Sequence, residues 1–220
     1  MGKMPKLNTE KVARRKRKIE DAALVLFKRR GFHGVGLREI AVRARVSLGN
    51  LYNYYRSKEE IYESLLARLA AEFASPQSTM AAFMLSTRFP DDIEAFGRAI
   101  GRMVEEHADF LTLIYVDIAA FGGKHVRWHY AGLAERFRVV LAPRIAELEA
   151  EGRSSGKLDL AVAFTAVYMQ FFNYFVVERM IGAERHMGLS DPRALRALAQ
   201  LFRDGLDRLF AAHGREGRTA

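Results

Sequence analysis

The chain is 220 residues long, half hydrophobic and 11% aromatic, with 35 Lys and Arg against 26 Asp and Glu and no cysteine. That apolar content suffices for one or two compact domains and excludes wholesale disorder, while the lack of cysteine excludes disulfide scaffolds, thiolate metal centres and cysteine nucleophiles. The charge of +9 is concentrated, because residues 1–60 hold 16 basic against 6 acidic side chains and the remainder 19 against 20; such a local positive field points to a polyanionic partner.

The opening MGKMPKLNTEK lacks the continuous apolar stretch of a secretory signal, so a cytoplasmic location is expected. Over residues 9–30 the positions Ile19, Ala22, Ala23, Leu26 and Phe27 follow the i, i+3, i+4, i+7 rule of an amphipathic helix, with Gly31 as its stop. Within it, Arg14-Arg15-Lys16-Arg17-Lys18 reads as a basic arm or helix extension suited to a phosphate backbone. After Gly34-Val35-Gly36 the spacing recurs in Leu37, Ile40, Ala41 and Ala44, and Ser47 is placed to cap a third short helix running to about Tyr55. Ser57-Lys58-Glu59-Glu60 is a capping box, opening a fourth helix with Ile61, Leu65, Leu69 and Phe73 on one face.

Past the break at Ser75-Pro76-Gln77, helical spacing continues over 91–106, over 109–121 up to Gly122-Gly123, and over 124–151, kinked at Pro143 and ended by Gly152. Residues 158–181 and 191–213 complete the set, the last opened by Ser190 and Pro192. No period-2 strand is visible, so an all-α fold is expected: a helix-turn-helix domain over 1–57 and a helical second domain over 58–220.

On a wheel of about 100° per residue, Leu48, Leu51, Tyr52 and Tyr55 fall on one side of the third helix and Gly49, Asn50 and Asn53 on the other. The first side can pack inward. The second offers two amides, each able to pair with an adenine edge, and a glycine that lets the backbone approach closely. Tyr52 and Tyr54 flank it, where their hydroxyls can reach phosphates.

Two short helices joined by a tight turn, inside the basic region, make a helix-turn-helix. The stretch GFHGVGLREIAVRARVSLGNLYNYYRSKEEIYESL resembles the DNA-binding domain of the TetR family of bacterial transcriptional regulators, through Gly31-Phe32, Leu37-Arg38-Glu39-Ile40-Ala41, Val46-Ser47-x-Gly49-x-Leu51-Tyr52 and Tyr54-Tyr55-x-Ser57-Lys58. The resemblance implies phosphate contacts from Ser47, Tyr52, Tyr54 and Lys58, and base contacts from Leu48, Gly49 and Asn53 with Asn50 nearby. Three positions depart from the family's usual pattern: Val35 or Gly36 replaces a Thr cap on the second helix, Arg45 stands where Gly is frequent, and Leu48 where Lys is frequent. Arg38, Arg43 and Arg45 can compensate electrostatically. The resemblance further implies a homodimer built from the last two helices and a ligand cavity between about residues 75 and 185.

The sequence is compatible with both. Leu195, Leu198, Phe202 and Leu209 recur at heptad-like spacing, with Gly205 permitting close approach. Phe96, Met103, Phe110, Tyr115, Trp128, Phe164, Tyr168 and Phe172 can line an apolar pocket for a small apolar or aromatic effector, or fill a solid core. LAVAFTAVYMQFFNYFVV, residues 160–177, approaches a membrane span in length, but Gln170 and Asn173 interrupt it and Asp159 and Glu178-Arg179 bound it, so a buried helix is expected rather than a membrane anchor. His125 and His129 share the i, i+4 spacing of zinc ligands, with Asp117 near in sequence; without an H-E-x-x-H pattern no metal site is expected. Ser154-Ser155-Gly156 is a loop rather than a nucleophile elbow, and no catalytic constellation or cofactor motif is visible. The reading is a DNA-binding regulator, a repressor released from a palindromic operator by its ligand. Regulation without a small molecule is the alternative.

Overall fold

A computed structural model describes residues 6–153 and 159–216. Ser154-Ser155-Gly156 and the side chain of Leu209 lie outside the described set. In chain order the helices are α1 (Lys6–Arg30), α2 (Leu37–Ala44), α3 (Leu48–Tyr52), α4 (Lys58–Phe73), α5 (Thr79–Met84), α6 (Ile93–Glu106), α7 (Ala108–Phe121), α8 (Arg127–Tyr130), α9 (Leu133–Ala150), α10 (Leu160–Phe175), which continues as a π-turn over Val176–Ile181, and α11 (Asp191–Glu216). No strand occurs among the described residues, as the unbroken helical spacing predicts.

Two expected elements are cut short. The helix read over 124–151 divides into α8 and α9 because Gly132 takes the left-handed conformation at φ 67° and caps α9, a backbone state that apolar spacing does not reveal. The third helix ends at Tyr52, with Asn53 as its C-cap, so it is little more than one turn long. The basic run Arg14–Lys18 lies within α1 rather than forming an extended arm.

The chain packs as two compact units, and their division differs from a single cut after residue 57. The first joins residues up to Ala74 with Asp109–Trp128. Its core is built by Ile19, Ala23 and Phe27 of α1, Ile40 of α2, Leu51 of α3, Ile61, Tyr62 and Leu65 of α4, and Leu113 and Ile114 of α7. Fully burying an aliphatic or aromatic side chain of this size contributes about 1.5–3 kcal/mol, and here that burial sets α2 and α3 on a rigid base of α1 and α4. The Tyr62 hydroxyl donates to the Leu113 carbonyl at 2.6 Å, fixing α4 against α7.

The second unit contains Ser75–Ala108 and the described residues from His129 onward. Here α10 packs against both α6 and α9, and α6 also carries α11. Glycines on α6 allow the close approach: a Cβ on Gly97 would lie 2.5 Å from Leu195 Cδ1, and one on Gly101 would lie 2.8 Å from Phe175 Cζ. Leu160–Ile181 is long and apolar enough to cross a bilayer by length and composition; Phe164, Val167, Phe171 and Tyr174 bury its inner side in the unit's core.

Candidate nucleic-acid interface

The turn between α2 and α3 follows from its hydrogen bonds. The Val46 N–H donates to Ala41 O at 3.0 Å and the Arg45 N–H to Val42 O at 3.1 Å, a Schellman closure that needs a left-handed residue just past the helix. Arg45 supplies it at φ 55°, ψ 48°. The chain then re-enters helix at once, because the Ser47 hydroxyl accepts the Asn50 N–H at 3.1 Å and satisfies one of the free donors of α3.

At the other end of α2, Gly36 contributes no side-chain oxygen, and the cap is completed from inside the helix. Glu39 Oε2 accepts the Gly36 N–H at 2.9 Å. The same carboxylate meets the Arg30 guanidinium in two parallel bonds, Nη1 to Oε1 at 2.8 Å and Nη2 to Oε2 at 2.7 Å. These bonds, Arg30 foremost and the Gly36 N–H second, hold the Glu39 carboxyl down to about 2.

Beneath α3, Tyr55 is fully buried, and its hydroxyl donates to Glu20 Oε1 at 2.7 Å. Glu20 also accepts from Ser64 at 2.8 Å and from Arg68 Nε at 2.8 Å. This network ties the segment after α3 to α1 and α4, and each buried polar atom in it has a partner, as burial requires. Burial raises the Tyr55 hydroxyl well above its ordinary value, so it stays a neutral donor.

The outer side of α3 is open. Ser47, Gly49, Asn50 and Asn53 are exposed, Leu48 and Tyr54 half-buried, and Leu51 buried. Tyr52, on the packing side of the wheel, is 51% exposed and stands outside with the amides. Arg38 and Arg43 on α2 and Arg45 in the turn after it are exposed, as is Gly36. A Cβ on Gly49 would meet nothing within 4 Å, so the fold itself has no steric need for glycine there.

Lys58 is employed differently from the expected phosphate contact. Its ammonium donates to the carbonyls of Phe32 and Val35, both at 2.7 Å, and lies 4.2 Å from the centre of the Phe32 ring. Two of its three donors are therefore committed inward, closing the α1–α2 loop against the start of α4. Partial burial lowers its pKa.

The residues expected to line an effector cavity are divided between the two units. Phe96, Met103, Phe164, Tyr168 and Phe172 belong to the second unit and are buried, whereas Phe110, Tyr115 and Trp128 belong to the first. Tyr115 and Trp128 are 47% and 57% exposed. In the second unit the rings pack on one another: Phe96 and Phe164 stack with centroids 4.2 Å apart, Phe137 meets Phe164 edge-on at 4.9 Å, and Tyr168 stacks on Phe172 at 5.9 Å. A separate cleft of about 510 Å³ is bounded by Met84, Arg88, Val140, Arg144 and Glu147. Its walls mix apolar and charged side chains, so no apolar row in the sequence marks it.

The fold and this surface define a helix-turn-helix protein with a helical second unit. Residues 19–65 match the family model described as bacterial regulatory proteins, tetR family. The transcriptional repressor KstR of Rhodococcus jostii is 43% identical over 54 residues, 24% of this chain and 26% of that protein, and the transcriptional regulator RutR of Escherichia coli is 40% identical over 65 residues, 30% and 31% of the two. The match thus spans about a quarter to a third of these relatives' length. At the level of fold, a TetR-like transcriptional regulator from Rhodococcus sp. RHA1 aligns over 88% of this chain and 96% of its own with a TM-score of 0.60 at 22% identity. A TetR-family member from Streptomyces coelicolor aligns over 89% and 97% with a TM-score of 0.55, also at 22% identity. Residues 19–65 are thus similar to the DNA-binding segment of the TetR family, and the likeness to solved structures extends over the fold.

Proposed function

We propose that this protein is a transcriptional repressor that binds a palindromic DNA operator as a homodimer, through α3 of each subunit, and releases it when a small apolar or aromatic ligand binds. The observation that carries the reading is the outer side of α3. An exposed glycine that the fold does not require sits between a serine cap and two exposed amides, with exposed arginines on α2 and in the turn before α3. Such a surface suits close approach to base edges flanked by phosphates. KstR is by name a repressor, which favours repression over activation.

One short α3 contacts few base pairs, and a two-fold pair doubles the site with half-sites about one helical turn, roughly 34–36 Å, apart. The second unit offers a matching contact face. Val162, Ala166, Met169 and Asn173 form an exposed stripe along α10, and Leu201 stands 67% exposed on α11; apolar residues in such a row are suited to packing against a second copy. An apolar effector would act by favouring one conformer of the dimer over another, which requires unequal affinity for the two. Action on chromosomal DNA would place the protein in the cytoplasm.

The test is footprinting on the DNA flanking its own gene, followed by titration of apolar and aromatic compounds into the complex. Protection of two half-sites about one turn apart, lost on adding a compound, is expected. Uniform weak protection of any duplex contradicts operator recognition, and operator binding unchanged by compounds that bind the protein tightly favours regulation without a small molecule.

A further inference from the structure

We propose that Glu59, Glu63 and His125 bind a divalent transition-metal ion of the zinc class, with Asp117 orienting the histidine. Glu59 and Glu63 lie one turn apart on α4, and His125 lies in the turn between α7 and α8; all belong to the same compact unit. One ligand atom from each can be chosen so that all three lie within 4.8 Å of one another. The His129 that sequence spacing offers as a second ligand lies in the other unit, and the two glutamates, remote in sequence, stand in its place.

The histidine supplies the second, independent observation. Its side chain is 10% exposed, and Nε2 is buried without a hydrogen-bond partner. Nε2 points at the carboxylates, 3.1 Å from Glu63 Oε1 and 3.4 Å from Glu59 Oε1. On the far side, Nδ1 lies 2.7 Å from Oδ1 of the fully buried Asp117, whose Oδ2 accepts the His125 backbone N–H at 3.1 Å. A carboxylate on Nδ1 places the proton of a neutral imidazole there and turns the Nε2 lone pair outward, the arrangement in which outer-shell carboxylates hold metal-ligating histidines. Three acceptor atoms then converge, and among the described residues the cation set against them is the exposed Lys124 ammonium on Glu59 Oε1, a place that a metal ion can take.

One imidazole with two carboxylates suits zinc, manganese or ferrous ions, whereas calcium and magnesium favour all-oxygen shells. The competing cation is Lys124, whose ammonium bonds Glu59 Oε1 at 2.7 Å from an exposed position; a bound ion would displace it. Occupancy would fasten the first two turns of α4, directly after the reading turn, to the α7–α8 turn and so stabilise the N-terminal unit.

The test is calorimetric titration of ZnCl₂ into the chelator-treated full chain, with MnCl₂ and MgCl₂ alongside and circular dichroism to verify folding. Zinc is expected to bind one ion per chain at this site and raise the unfolding temperature, with magnesium inert. Glu59→Gln/Glu63→Gln should weaken zinc binding by more than about tenfold, and Lys124→Ala should tighten it. If the double variant misfolds, Glu63→Gln alone, at an exposed position, gives the same reading. Zinc affinity unchanged in the folded glutamine variants overturns the proposal. So does a lack of zinc uptake at millimolar concentration with His125 Nε2 protonated by NMR, since the proton is then the cation that the cluster holds.

Discussion

Arg30 and Glu39 meet in two parallel hydrogen bonds of 2.8 and 2.7 Å, joining the last turn of α1 to the first turn of α2 where Gly36 supplies no capping side chain. The same carboxylate holds the Gly36 N–H, so one residue performs the capping and the cross-helix tie on which the orientation of the reading head rests.

This pairing sets a pH dependence. Glu39 ionises at about 2 in the fold against an ordinary 4.5, so its contribution to stability is fully present above 4.5 and is lost as the pH falls towards 2. The pair is exposed and the effect correspondingly modest. Urea unfolding of wild type and Glu39→Gln should show a constant gap near neutral pH that closes between 4.5 and 2; a gap independent of pH would sink this assignment.

Gly49→Ala separates folding from reading. The added methyl meets only open space, and alanine in place of glycine in a helix favours folding by about 0.5–1 kcal/mol. The variant should melt at the same or a higher temperature yet bind operator less tightly. Equal affinity with equal or better stability would show that α3 does not approach the bases at this position.

Lys58→Met tests the inward tie. Leaving the Phe32 and Val35 carbonyls without their donor should cost about 1–3 kcal/mol in denaturant unfolding. The salt dependence of DNA binding should keep its slope, whereas loss of a true phosphate contact would reduce that slope by about one.

Arg45→Gly relieves a left-handed conformation that costs a side-chain-bearing residue about 1–2 kcal/mol, offset in part by the greater freedom of glycine in the unfolded chain. A stability gain of up to about 1 kcal/mol is expected, accompanied by weaker binding to all duplexes because one cation near the groove is lost. Reduced stability would mean that the arginine side chain contributes more than its backbone strain removes.

Sequence periodicity sufficed wherever a local rule decides. The rows Ile19–Phe27 and Leu37–Ala44 form α1 and α2, and Ser47 and Ser57 cap α3 and α4 as their side chains demand, Ser57 accepting the Glu60 N–H at 3.0 Å. Glu60 departs slightly from the capping box by reaching back to the Arg56 N–H at 2.6 Å instead of Ser57. What escaped the sequence depends on tertiary placement. Lys58 turns inward because carbonyls 23 and 26 residues earlier face it. The first unit recruits Asp109–Trp128 across a long insertion, and His125 meets Glu59 and Glu63 across more than sixty positions. Spacing rules that see one helix at a time carry no information about such meetings.

The most direct measurement is the affinity of the full chain for the duplex flanking its own gene and for a scrambled duplex of the same length at physiological salt, for wild type, Asn53→Ala and Tyr54→Phe. Wild type should prefer the native duplex. Asn53→Ala should lose about 1–3 kcal/mol of that preference, and Tyr54→Phe should weaken both duplexes alike. Equal wild-type affinity for the two duplexes, or identical losses on both from both substitutions, would contradict base reading by the outer side of α3.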